Sequence, residues 1–180
     1  MGHIKAFSPL LLFLSVLYSS QSVYERIRKE LIFHFGDIAI ETEPLPFSHT
    51  SYYTAEMGSP LYRRFLSFKN RVEASEFYKT KIVSNSIEDW NKADQKRQIN
   101  IDPGALTPHN VLLLSTKNFA HRIPLNEGIY AEVSLLYREK AFQGLEWSYP
   151  DYLLDDALAF FSRARLDLLA SESTPSLSQA

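Results

Sequence analysis

The stretch AFSPLLLFLSVLYSSQS, residues 6–22, decides how this chain is read. A short apolar run with a basic residue before it and small polar residues after it has the form of a secretory leader. The same run, joined at once to a helix, has the form of a strand buried on both faces. It is too short to cross a membrane, which takes about 20 apolar residues, and Ser8, Pro9 and Ser15 interrupt it. The residues after the run favour the strand. Ser22-Val-Tyr-Glu25 has the spacing of a capping box. Residues 22–35 then place Val23, Ile27, Leu31 and Phe35 on one helical stripe that Gly36 stops. In DIAIETEPLPF, residues 37–47, Ile38, Ile40 and Thr42 alternate with Ala39 and Glu41 as in a second strand. Strand, helix and strand in succession predict a crossover unit whose interior member is residues 10–18.

Working outward, a chain of 180 residues with 45% hydrophobic and 22% charged residues has enough apolar sequence for one core, and a domain of that size buries roughly 70% of its unfolded surface. A single domain is expected over residues 1–170, with SESTPSLSQA, residues 171–180, as a disordered tail. Phe, Tyr and Trp make up 13% of the chain, and such rings favour a sheet. The absence of cysteine excludes disulfides, thiolate metal sites and a cysteine nucleophile, and it suits a cytoplasmic setting. A net charge of −2 argues against nucleic acid and anionic membranes as partners. Any basic site is therefore local.

FSHTSYYTAEMG, residues 47–58, reads as a surface loop, and Ser59-Pro60 as the start of a helix reaching about Arg71. On that helix YRRF, residues 62–65, would be a solvated basic face rather than a nucleic-acid contact. A second helix is expected over residues 75–96 with Val83, Ile87 and Trp90 inward and its far end, EDWNKADQKR, charged and mostly solvated. QINI is a strand leading into Asp102-Pro103-Gly104, which suits a type II turn. NVLLLST, HRIPL, GIYAEVSLLY and AFQGLEWSY supply four more strands. A three-residue loop at Asn126-Glu127-Gly128 sets Leu125 opposite Ile129 and Arg122 opposite Glu132, and REKA turns the next hairpin. Asp151 caps a last helix that carries Leu154, Ala157, Leu158, Phe161 and Leu168 inward. The fold expected is α+β: a largely antiparallel sheet with helices packed against it, and an N-terminal strand-helix-strand unit.

EPLPFSHTSYYTAEMG, NIDPG, STKNFAHRIPLNEGIYAEVSLLY and LEWSYPDY, in that order, resemble the bacterial family known as domain of unknown function 4416. The likeness runs from the first strand to the last helix. It implies that the apolar N-terminal run belongs to the domain and that the setting is bacterial and cytoplasmic; it implies no activity. The chain departs from the family in having Ala105, where a tyrosine is expected, and in a more apolar N-terminal run.

Polar residues gather in the half that carries these motifs. Lys117, His121 and Arg122, with Arg97, form a candidate anion site, because a guanidinium grips phosphate or carboxylate with parallel hydrogen bonds while lysine adds a point charge. His121 could move protons near neutral pH with Asp102 or Glu132 orienting it. Asn100, Tyr130 and Trp147 complete the candidate binding set, Trp147 opening an aromatic wall that runs to Tyr152. The competing reading makes Arg122 and Glu132 a cross-strand ion pair worth about 0.2–1 kcal/mol. In that reading Lys117 and His121 sit on a hairpin rim. Glu88, Asp102, Glu132 and Asp151 offer oxygen ligands for a hard cation, but no spacing requires one. The five histidines form no metal-binding pattern, so no metal is assigned. Asn91-Lys92-Ala93-Asp94 matches the NKxD tetrapeptide of GTPases without the glycine-rich phosphate loop that GTP binding needs. Two classes stay open: a binding protein or enzyme for a small anionic metabolite, its cofactor unknown, or a non-enzymatic interaction module. On the first, Arg122→Ala abolishes stabilisation by ligand and spares the unliganded fold.

Overall fold

Residues 10–18 form β1 (Leu10–Tyr18), and it lies in the middle of the sheet. The structure is a computed structural model that describes residues 2–172. Both faces of β1 are covered, which is why the run is apolar without alternation. Leu12, Leu14, Val16 and Tyr18 pack under α1 (Gln21–Phe35) and α3 (Lys79–Trp90). Leu11 and Phe13 pack on the opposite face, under α4 (Asp155–Glu172).

Among the described residues nine strands make one antiparallel sheet. The order is β2 (Ile38–Glu41), β4 (Leu61–Val72), β1, β5 (Ile99–Leu106), β6 (Asn110–Ser115), β8 (Ile129–Arg138) and β7 (Ile123–Asn126). β3 (Leu45–Phe47) also pairs with β4, and β9 (Ala141–Gly144) with β8. The N-terminal strand-helix-strand unit is present, and its crossover steps over β4, which pairs antiparallel with both β1 and β2.

Several local expectations are corrected. Ser20, not Ser22, caps α1, its hydroxyl accepting from the Val23 N–H; Glu25 accepts from the Gln21 side chain instead. Tyr24 replaces Val23 on the buried stripe. The loop at residues 47–58 contains a short helix, α2 (Thr54–Met57). The helix expected after Ser59-Pro60 is the long strand β4, in which Leu61, Arg63 and Phe65 face one side with period 2 while Leu66 and Phe68 fill the other. Arg63 of the supposed solvated face is buried. α3 is shorter than residues 75–96, and Trp90 stands 68% exposed beside His34. AFQG alone of AFQGLEWSY is strand. Asp151 does not cap α4; it lies buried in a 3₁₀ turn, Pro150–Leu153, and Leu154 is exposed. α4 runs through residue 172, two residues into the expected tail, and residues 173–180 lie outside the described residues.

The β7–β8 hairpin turns on two residues rather than three, Glu127 and Gly128, both with positive φ. Asn126 pairs with Ile129, and an irregularity at Leu125 restores the register to Pro124–Tyr130 and Ile123–Ala131. Arg122 therefore still meets Glu132. Among the described residues no helix is long and apolar enough to cross a membrane.

Candidate functional site

The site begins where two central strands part. β5 runs straight through Asp102-Pro103-Gly104, so these residues make no turn. Gly104 is required by close packing: the Phe13 ring and the Leu112 carbonyl occupy the space a Cβ would take. β6 pairs with Gly104, Ala105 and Leu106 and then diverges. Residues 99–103 keep β1 on one side and, among the described residues, have no strand on the other. Pro103 lies at this point of divergence and has no N–H to offer a ladder.

The open edge is completed by α3. The Ile101 N–H donates to Glu88 Oε1 at 2.7 Å, and the Ile101 carbonyl accepts from Lys81 Nζ at 3.0 Å. Lys81 and Glu88 are seven residues apart, hence on one helical face. That face also carries Thr80 and Ser84, and its polarity is the sequence signal that could have marked it.

A cavity of about 550 Å³ fills the gap, within the range typical of small-molecule sites. Lys81, Asn85 and Glu88 of α3 and Asn100 and Asp102 of β5 form one wall. Ser115, Thr116 and Lys117 at the end of β6, with Arg122 and Glu132, form another. Arg63 and Asp151 lie on its lining, and Tyr52 and Tyr53 reach over it from the segment after β3. Of the candidates read from the sequence, Arg97, Asn100, Asp102, Lys117, Arg122 and Glu132 line this cavity; His121, Tyr130 and Trp147 do not. His121 sits behind Glu132, 3.1 Å from its Oε2, with its ring stacked on Trp147 at 4.7 Å. The Trp147 indole donates to the Val133 carbonyl. Tyr130 pairs with Ser115 and Pro124 across the sheet.

Most charges in the cavity are matched. Arg122 Nε lies 2.6 Å from Glu132 Oε2, and its Nη1 donates to the Lys117 carbonyl. Arg63 Nε lies 2.6 Å from Asp151, and its guanidinium also bonds Ser15 and faces the Phe47 ring. Arg97 grips Glu56 at 2.8 Å, which holds the Glu56 carboxyl below its usual range, and donates to Asn100 Oδ1. Lys81 Nζ lies 3.4 Å from Asp102, whose other oxygen accepts from Asn100 at 2.7 Å. Lys117 differs: it is exposed at the mouth, its Nζ is 5.3 Å from the centre of the Tyr52 ring, and among the described residues no carboxylate pairs with it.

Burial pushes the Glu88 carboxyl up to about 7, against the pull of Lys81 and the Ile101 N–H. Burial likewise raises the phenols of Tyr53 and Tyr149. Glu88, weighed in the sequence only as an oxygen ligand for a cation, lines the cavity with this raised carboxyl. The four carboxylates weighed for a cation all reach the cavity, but each faces a lysine or arginine. Among the described residues no three His, Cys, Asp or Glu side chains are grouped to hold a metal. The NKxD tetrapeptide straddles the end of α3 and a tight turn, with the Asn91 amide spent on Glu30 and Ile87 and Lys92 on Asp89.

The family described as Domain of unknown function (DUF4416) matches residues 8–167, and the chain belongs to it. No curated protein and no solved structure matches the chain.

Proposed function

We propose, for this member of a family defined without an activity, that the cavity between β5 and β6 binds a small cytoplasmic metabolite bearing a phosphate or carboxylate. The observation that carries the reading is Lys117. Arg63, Lys81, Arg97 and Arg122 each face a carboxylate within 4 Å, whereas Lys117 stands at the cavity mouth with its ammonium uncommitted to one. Arg122 Nη2, with only a 3.5 Å contact to the Tyr149 hydroxyl, adds a second donor on the same side. Glu88 is the group placed to give or take a proton from the bound molecule, because it lines the cavity and titrates near neutrality.

The test is a thermal-shift screen of small phosphates and carboxylates against the native chain and Lys117→Ala. A ligand at one hundred times its Kd stabilises by about 2.7 kcal/mol, a rise of roughly 5–10 °C for a domain of this size. The rise is expected in the native chain and lost in the variant. Equal shifts in both, or none in either, defeat the proposal. The interaction-module reading rests on edge strand β7, where Ile123 and Leu125 are 63% and 45% exposed. It would be favoured if no anion shifts the melt.

A further inference from the structure

The two walls of the cavity ask for different chemistry. The Lys117 side offers donors: the ammonium, Arg122 Nη2 and the Thr116 hydroxyl. The β5–α3 side offers acceptors. Asp102 takes one hydrogen bond on each oxygen, from Asn100 at 2.7 Å and Lys81 at 3.4 Å, so each keeps further lone-pair capacity. Glu88 Oε1 is bonded to the Ile101 N–H, while Oε2 has only Arg97 at 3.7 Å. Asn85 lines the same wall, and its amide makes no hydrogen bond to the described residues.

Glu88 is buried and Asp102 and Asn85 are half-buried on the cavity wall, so their spare capacity is met by a ligand that brings donors. An ammonium would bring them with the wrong charge, since it would sit beside Lys81 Nζ and the Arg97 guanidinium, both already on these carboxylates. A hydroxyl brings a donor and no charge, and it can also accept from the Asn85 amide. The half-buried ring of Tyr53 also lines the cavity, a flat apolar face of the kind that covers the C–H face of a sugar.

Resting on the anion site proposed above, we infer that the ligand is a sugar or polyol phosphate, its phosphate at Lys117 and its hydroxyls on Asp102, Glu88 and Asn85. Calorimetric titration of the full chain with glycerol 3-phosphate, ribose 5-phosphate, glucose 6-phosphate, glucosamine 6-phosphate, inorganic phosphate and the free sugars tests it. At least one hydroxylated phosphate is expected to bind about tenfold more tightly than inorganic phosphate and than its own unphosphorylated form. That advantage should shrink in Asp102→Asn and in Asn85→Ala, the second variant serving if the first does not fold. Lys117→Ala should weaken phosphate and sugar phosphate by the same factor. If no hydroxylated phosphate exceeds inorganic phosphate, or if glucosamine 6-phosphate binds more tightly than glucose 6-phosphate, the inference fails and the anion site stands. If no phosphate or carboxylate binds, both fall.

Discussion

Glu88→Gln should make the protein more stable in mildly alkaline solution and change the shape of its stability–pH curve. In the unfolded chain the Glu88 carboxyl titrates near its ordinary value of 4.5; in the fold, burial lifts it to about 7. Below pH 4.5 both states hold the proton and the residue has no pH-dependent effect. As pH rises from 4.5 through 7 the unfolded chain gives up its proton first, so stability falls, and above 7 the full penalty is present. Moving that titration from 4.5 to about 7 corresponds to about 3 kcal/mol. Glutamine keeps an oxygen for the Ile101 N–H and carries no charge at any pH, so the variant lacks this slope. Urea melts of both proteins from pH 4.5 to 8 give the difference directly. The stability of the variant relative to the native chain should climb by about 3 kcal/mol across that window. Parallel curves would refute the reasoning, because they would mean that the carboxylate is solvated and that neither α3 nor the cavity is placed as described.

Three further outcomes are expected. Arg122→Ala breaks the pair with Glu132, whose side chain is 2% exposed, and leaves that carboxylate with His121 and Ser134; chemical denaturation should show a loss of about 3 kcal/mol without ligand. This reverses the sequence-based expectation that the unliganded fold would be spared. Gly104→Ala sets a methyl against Phe13 and the Leu112 carbonyl and should cost about 3 kcal/mol or more, read from the same melts. Lys117→Ala removes an exposed side chain and should leave the unliganded melting temperature within about 2 °C; a larger drop would mean that Lys117 holds the fold rather than a ligand.

What could be read in the sequence was whatever local geometry settles. β1 was legible because an interior strand is apolar on both faces and residues 10–18 are too few to cross a membrane. Arg122 and Glu132 were legible because a hairpin loop imposes register, and the irregularity at Leu125 offset the miscounted turn. β4 was misread as a helix because Ser59-Pro60 has the composition of a helix start, and only its place between β1 and β2 selects the strand. Asp102-Pro103-Gly104 has turn composition, yet its glycine serves close packing against Phe13 and its proline stands where β6 departs. Lys81 and Glu88 escaped notice as partners of Ile101 because the unpaired edge they complete exists only once β5 and β6 separate. His121 drew attention as an imidazole among basic residues, but it lies behind Glu132 and off the cavity lining, which is settled by packing on Trp147 rather than by local sequence.

The most direct test is an amide NMR titration of the full chain with ribose 5-phosphate and inorganic phosphate. The account predicts saturable shifts concentrated at Ser115, Thr116 and Lys117 for both, extending to Asn100 and Asp102 only for the sugar phosphate. Shifts scattered over the basic surface, or none at the β6 end, would contradict it.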